Sequence, residues 1–586
     1  MRSRHLALLL IAALLLSRCA QATPTPQPTA IPTPEATSTA VATPTPEPTP
    51  RAVATASRPL LGGAVTPPAP IAGGLTPQWW NDCVFYVMLV RSFYDANGDG
   101  NGDLQGLIDK LDYLNDGDPG TDMDLGVNAL WLLPVVESPT YHGYAASDYY
   151  NIERDYGDNE TFRRLVTAAH QRGIYVIVDL ALNHTSDKHP WFQDASSGPD
   201  AALRNWYIWE NNNPGWLGPD KRTVWYQSGG SYYYAFFGGA LPDLNLRNEA
   251  TTRQMLDVVD FWLRDMGVDG SRLDAIRHLV EEGQKQESTD STHQWLKRFY
   301  QFYKGVQRNA FAIGEVTGAT AERLPYYNAE VDMCFEFDWA NAAVSSLNSG
   351  NPAALRAKQS SLQALLPQGQ YGIFLGLQDS NRIISLLRSS EPKARLAATL
   401  LLTSPGVPFL WYGEEIGMRG NKPDVFIRRP MQWADQRGAG FSAGRPWMDV
   451  DLNYDVVNVA EESADPNSLL SHYRRLTRLR LSYEALRTGT WMPLQVSNDQ
   501  VYAYLRHADD SDVLVVLNLA AEDVTGLELR VQDSAIPPGS YAVQDLLGTE
   551  DIAQLTVGTG GGFAEYAPVT TLAPLTGYVL LVRDAR

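Results

Sequence analysis

The chain alternates between apolar runs of six to eight residues and stretches in which apolar positions recur every three or four. The runs fall at Val84–Val90, Val127–Pro134, Ile174–Ala181, Val268–Asp274, Ala310–Glu315, Val331–Phe337, Tyr371–Leu377 and Val407–Tyr412. Each is short enough for a strand and apolar nearly throughout, as a strand covered on both faces must be. Helical-period stretches separate most of them. The last of these, Ser468–Tyr483, repeats Leu469, Tyr473, Leu476 and Leu479 along one face. Eight strands alternating with helices predict an α/β fold, a parallel (β/α)₈ barrel of the TIM type with functional groups on loops at the C-terminal strand ends.

Two segments depart from that alternation. Residues 182–267 are too long for one helix and two turns, and their richness in Trp, Tyr, Gly and Asn predicts a small inserted domain over 183–245, with a helix at Ala250–Met266 leading back. The barrel then occupies 76–182 and 246–484. From Ala485 the pattern shifts to short alternating runs such as VYAYLRH and DVLVVLNL, which predict a C-terminal antiparallel β-sandwich over 485–586.

The N-terminus reads differently again. Arg2, Arg4 and His5 precede the apolar run Leu6–Leu16, too short to span a bilayer, which marks residues 1–22 as an export signal. Leu16-Ser17-Arg18-Cys19 resembles a bacterial lipoprotein box, and Ala20-Gln21-Ala22 matches an ordinary cleavage site. Residues 23–75 are dominated by Thr, Pro and Ala, a composition that forms an extended spacer rather than a core. An extracellular or cell-surface protein is expected, and so long a stalk favours a lipid anchor at Cys19 over free secretion. Cys83 and Cys334, both strand-borne without a disulfide spacing pattern, are expected as buried thiols.

A formal charge of −20 excludes the nucleic-acid backbone and anionic membrane surfaces as partners. A neutral carbohydrate is compatible with it, and some of the 15 Trp and 28 Tyr could stack on sugars.

Asp274, Glu315 and Asp379 each lie at or just past the end of an apolar run. Cleavage of a glycosidic bond with retention requires a carboxylate nucleophile and a carboxylic acid flanking one bond. Arg272 and Asp274 are two apart on a strand and so share a face, where the guanidinium would keep the carboxylate ionised as a nucleophile. Glu315, ending an apolar strand, is better placed to hold a proton for the leaving oxygen and later to act as base.

Four ordered motifs resemble those of the α-amylase family of glycoside hydrolases (family 13). They are Asp179-Leu-Ala-Leu-Asn183-His184, Gly270-Ser-Arg272-Leu-Asp274-Ala-Ile-Arg-His278, the strand ending in Glu315, and Phe374-Leu-Gly-Leu-Gln378-Asp379-Ser-Asn-Arg382. His142-Gly143-Tyr144, Leu241-Pro242-Asp243-Leu244-Asn245 and Gly413-Glu414-Glu415 are similar to further family pieces. The resemblance implies that Asp379 grips sugar hydroxyls in the transition state, that Tyr144 is a stacking platform, and that His184 completes the pocket with Arg272. It implies His142, Gln378 and Arg382 as further substrate contacts. The chain departs from the family at Leu377-Gln378, where Asn-His is usual; Gln can donate and accept hydrogen bonds but carries no charge, so reduced or altered turnover is expected. Ser271 and Ala145-Ala146 also depart from the usual inner-pocket residues.

Asp95-Ala-Asn97-Gly-Asp99-Gly-Asn101-Gly-Asp103 places oxygen-bearing residues at alternate positions with Gly between them, a pattern that suits Ca²⁺. Asn101 would donate its backbone carbonyl. Similar loops in relatives imply a structural ion. The expected activity is hydrolysis of α-1,4 bonds in starch or maltooligosaccharides by a monomer. The alternatives are a 4-α-glucanotransferase or α-glucosidase on the same scaffold, or a surface sugar-binding protein that has lost turnover.

Overall fold

The computed structural model describes residues 67–366 and 370–584. The expected signal, Cys19 and the linker up to residue 66 lie outside the described residues. Every apolar run contains one barrel strand: β1 Phe85–Met88, β2 Ala129–Leu132, β3 Tyr175–Leu180, β4 Gly270–Leu273, β5 Phe311–Gly314, β6 Met333–Cys334, β7 Gly372–Phe374 and β8 Val407–Trp411. They are parallel and pair in sequence order from β1 to β6, with β8 joining β1 to β7. A parallel bridge between Phe335 and Gly372 closes the ring between β6 and β7. The runs are continuous in sequence because each strand has the barrel interior on one face and helices on the other.

Aromatic rings fill the barrel from below. Phe85 stacks on Phe409 at 4.6 Å, while Trp79 and Trp80 lie on Tyr175 and Phe311 at 3.9 and 4.8 Å. The helices cover the outside with the faces their periodicity sets out. Asp290–Val306 buries Trp295, Leu296, Phe299 and Tyr303, and the Thr289 side chain caps its N-terminus. The helix read at Ser468–Tyr483 runs from Leu469 to Ser482, with Ser468 as the cap.

The segment between β3 and β4 carries a three-stranded antiparallel sheet of Trp209–Glu210, Ser231–Tyr234 and Trp225–Ser228. Its two ends are stitched where the Asn183 amide donates to Asp243 at 3.0 Å and the Leu244 amide donates to the Asn183 carbonyl at 2.8 Å. The C-terminal region is antiparallel, with a six-stranded sheet accompanied by smaller sheets around a second apolar core. Its strand Val501–Ala508 is buried on both faces: Val501, Ala503 and Leu505 enter that core, whereas Tyr504 bonds Thr403 on a barrel helix at 2.6 Å.

The last nine residues read as linker, 67–75, are attached to the barrel. Ile71 is buried, the Ala69 carbonyl lies 2.6 Å from the His170 ring, and the Leu75 carbonyl accepts from Asn309 at 2.6 Å. Cys83 and Cys334 are buried free thiols. Among the described residues no helix is long and apolar enough to cross a membrane.

Candidate active site

The ladder between neighbouring strands delivers the chemistry at one level. Asp179 on β3 and Arg272 on β4 are register partners. One residue past their strands, the amides of Asp274 and Glu315 each donate to the preceding strand, at 3.0 Å to Leu180 and 3.0 Å to Leu273. Both carboxylates therefore emerge beside each other at the C-terminal rim. Gly314 precedes Glu315 because Ile276 presses against it: a Cβ there would stand 2.4 Å from the Ile276 side chain. Ala275, next after Asp274, adopts a left-handed φ of 49°, an uncommon conformation for a residue with a Cβ. That turn aims its amide at Glu315, 3.2 Å from Oε2.

Arg272 organises the three acids. Its side chain is buried, and Nη1 donates to both Asp179 oxygens at 2.8 and 3.0 Å and to Asp274 Oδ1 at 2.7 Å. Nη2 donates to Glu315 Oε2 at 2.8 Å. The guanidinium also lies 5.3 Å from the Trp131 ring and 5.8 Å from that of Tyr144. One fixed cation thus faces three carboxylates, which cannot all be ionised cheaply out of bulk water. Burial raises Asp274 and Glu315 above the ordinary carboxylate range, and Arg272 opposes the rise in both. The neighbouring Asp274 charge adds to the rise at Glu315, and that of Asp379 to the rise at Asp274.

Tyr144 is clasped by three of the residues expected around it. Its hydroxyl donates to Asp179 at 2.9 Å and lies 3.4 Å from the Gln378 amide nitrogen, while its carbonyl is 3.2 Å from His184 Nε2. The Tyr144 amide donates to His142 Nδ1 at 3.2 Å, and the two rings stack 5.8 Å apart. Burial lowers both His142 and His184 to about 4, which leaves neutral imidazoles at pH 7. Gln378 is buried and its Oε1 has no partner.

Asp379 stands across the mouth with about half its side-chain surface exposed. Burial raises its carboxyl, and Arg428 opposes this through a 2.8 Å bond from Nη2. The same guanidinium donates from Nε to the Gln378 carbonyl at 3.1 Å, so Arg428 fixes both consecutive residues. Arg382 does not join them. It donates to the carbonyls of Tyr412 at 2.6 Å and Ile427 at 2.8 Å and lies over the Tyr412 ring, so it pins the end of β8 to a loop rather than reaching for substrate.

The reading of motifs gave no role to Asp179, Trp131 or Arg428. Asp179 opens the first quoted motif, and Arg428 directly precedes the Arg429-Pro-Met-Gln-Trp433 run. Neither position announces its partner, because both partners come from other strand ends.

The Asp95–Asp103 loop is wound on its own amides. Asp95 accepts from Gly98 and Gly100, Asn97 from Asp99, Asp99 from Asn101, and Asp103 from Ala96 and from Gly106 in the helix Leu104–Asp109 that it caps. Asn101 receives a bond from Arg91. Burial raises Asp103, with Asp95 adding to the rise as a like charge, so a cation there would relieve both. The all-oxygen donors suit Ca²⁺. The side chains do not yet enclose an ion: among the described residues no three His, Cys, Asp or Glu converge on one point.

A closed parallel barrel whose C-terminal rim joins two carboxylates through a buried arginine defines an enzyme of the glycoside hydrolase class. Residues 87–489 match the family model for the alpha amylase catalytic domain, and the chain belongs to that family. It is 34% identical over 450 residues to alpha-amylase 3 of Dictyoglomus thermophilum, covering 76% of this chain and 86% of that protein. It is 30% identical over 530 residues to the oligo-1,6-glucosidase of Heyndrickxia coagulans, covering 76% and 93%. The crystal structure of an alpha-amylase from H. orenii superposes with a TM-score of 0.75 at 36% identity, covering 86% of this chain and 99% of that one.

Proposed function

We propose that the protein hydrolyses α-1,4-glucosidic bonds in starch or maltooligosaccharides with retention. Asp274, held ionised by Arg272, attacks the anomeric carbon and forms a covalent glycosyl ester as Glu315 passes its proton to the departing oxygen. Glu315, now a carboxylate, removes a proton from the water that attacks the ester, and Asp274 leaves with its electron pair restored. Asp379 binds hydroxyls of the sugar ring as it flattens, with Arg428 keeping that carboxylate charged. Tyr144, steadied by neutral His142 and His184, lies along the ring's apolar face, and Gln378 bonds a hydroxyl. The observation that carries the reading is the single guanidinium bridging Asp274 at 2.7 Å and Glu315 at 2.8 Å.

The test is reducing-sugar release and product chromatography on soluble starch and maltoheptaose, with Asp274→Asn as control. Short products that vanish in the control support the assignment. Sugar binding without products would leave a binding protein, for which Leu377-Gln378 and the stalk are the motivating features. Likeness to an oligo-1,6-glucosidase as well as to α-amylases keeps a second reading, an α-glucosidase or 4-α-glucanotransferase. Glucose as first product would favour the former, and longer oligosaccharides than the substrate the latter. We also carry Ca²⁺ at the Asp95–Asp103 loop, a monomeric state, and an extracellular or lipid-anchored location as proposals that rest on the sequence.

A further inference from the structure

A cavity of about 420 Å³ opens from the catalytic centre into the space between β7 and the helix Phe337–Ser349 that follows β6. Its inner end is polar, with Arg272, Glu315, Gln378 and Asp379. The remainder is walled mostly by apolar side chains, among them Phe337, Ala340, Val344, Phe374, Leu377 and Leu386, with Asn341, Ser345 and Ser380 as polar members. Phe337 and Phe374 meet edge to face at 5.3 Å. Gln378 and Asp379, proposed to hold the sugar under attack, border its polar end, whereas Asp274 and Tyr144 do not, so the apolar part extends beyond that sugar's place. It adjoins the acid rather than the nucleophile, and Thr317, two residues beyond Glu315, lines it as well. The group bonded to the oxygen that Glu315 protonates lies on that side.

A sugar ring placed against the apolar part of those walls would exchange hydroxyl bonds to water for contacts with carbon, which is unfavourable. An alkyl chain or aromatic ring would instead gain from leaving water. Leu377, which stands where relatives usually have Asn, contributes to the apolar wall. We propose that this cavity binds an apolar aglycone, so that the enzyme cleaves alkyl or aryl α-glucosides in preference to small ones. The inference rests on the hydrolase reading for its substrate linkage.

The test compares kcat/KM for methyl, hexyl and octyl α-D-glucosides, below micelle-forming concentrations, with maltose as a second reference. Each methylene fully buried contributes about fourfold in affinity. A rise of at least about tenfold from methyl to octyl is expected. Ala340→Leu and Val344→Phe narrow the cavity from its wall and should cut the octyl-to-methyl ratio several-fold without moving the maltose-to-methyl ratio. A flat series, or a ratio insensitive to both variants, overturns the proposal. If no α-glucoside is turned over, maltoheptaose decides the hydrolase reading separately, and calorimetric binding to Glu315→Gln protein decides the cavity. Octyl α-glucoside binding more tightly than methyl, with the difference lost on adding Ala340→Leu, supports it; equal binding overturns it.

Discussion

Replacing Arg272 by Lys tests whether one guanidinium is the organising element of the site. The substitution keeps the charge and much of the length but reduces two donor nitrogens, spread over three carboxylates, to one ammonium. Nη1 lies 2.7 Å from Asp274 and 2.8 Å from Asp179, while Nη2 reaches Glu315 on β5 at 2.8 Å. A single nitrogen cannot occupy both positions, so one or two charge-assisted bonds are lost at about 1.5–3 kcal/mol each. The sum of about 1.5–6 kcal/mol corresponds to a fall of roughly 10 to 10⁴ in kcat/KM on maltoheptaose, if it falls on the transition state. The pH profile separates this from simple misfolding. Asp274 acts ionised and sets the acid limb; Glu315 acts protonated and sets the basic limb. Arg272 lowers both groups, so its weakening raises both and shifts the whole bell to higher pH. A variant with native circular dichroism, activity within tenfold of the parent and an unmoved profile would refute the reasoning.

Three further outcomes are expected. Burial pushes Glu414 up to about 8, so the folded state keeps a proton that the unfolded chain releases near 4.5; stability is lost as pH rises through that window. Glu414→Gln, which can still accept from Tyr473, should therefore melt later than the parent at pH 8, by a stabilisation of about a few kcal/mol, and no later at pH 4.5; a pH-independent difference contradicts this. Millimolar Ca²⁺ should raise the melting temperature after chelator treatment, by an amount that Asp99→Ala and Asn97→Ala abolish; equal melting with and without the ion would remove the metal from that loop. Gln378→His should raise kcat on maltoheptaose by about tenfold, the worth of one better transition-state hydrogen bond, and an unchanged or lower kcat would mean that Gln378 already fills that place.

The barrel was legible because its strands are covered on both faces, which writes them as uninterrupted apolar runs. Their edges were not, since Val84 and Val90 are as buried as β1 itself while lying outside its ladder. The alternation in VYAYLRH signalled a strand, but not that its second face, with Tyr502, Tyr504 and Arg506, is buried rather than solvated. Residues 67–75 share the Pro, Ala and Gly of the linker and show no period, so nothing in their composition marks Ile71 as buried. In the site, period two alone put Arg272 on the face of Asp274. The partnership of Arg272 with Asp179 depends on the register of β3 against β4, and that of Arg428 with Asp379 spans 49 residues between two loops; neither quantity is local. Arg382 shows the converse, since its place beside Asp379 in sequence does not carry its side chain to the same point in space.

The division of labour between the two central carboxylates follows from their surroundings. Both are partly buried and both meet Arg272, so neither property alone distinguishes them. Burial raises both carboxyls and the Asp274 charge raises Glu315 further, in keeping with Glu315 as the protonated partner in the proposed mechanism. Asp274 is left as the anion beside a nitrogen that also serves Asp179. Asp379 differs from both: it is half exposed and is carried by the loop after β7, with Arg428 as its one ion-pair partner among the described residues. Leu377 and Gln378, where the chain departs from the usual Asn-His, immediately precede it. On the proposed mechanism, substitutions there would change the grip on the sugar and the wall of the adjoining cavity while leaving the Arg272 bridge intact, so the β7 loop would alter which glucoside is cleaved without altering how the bond is broken.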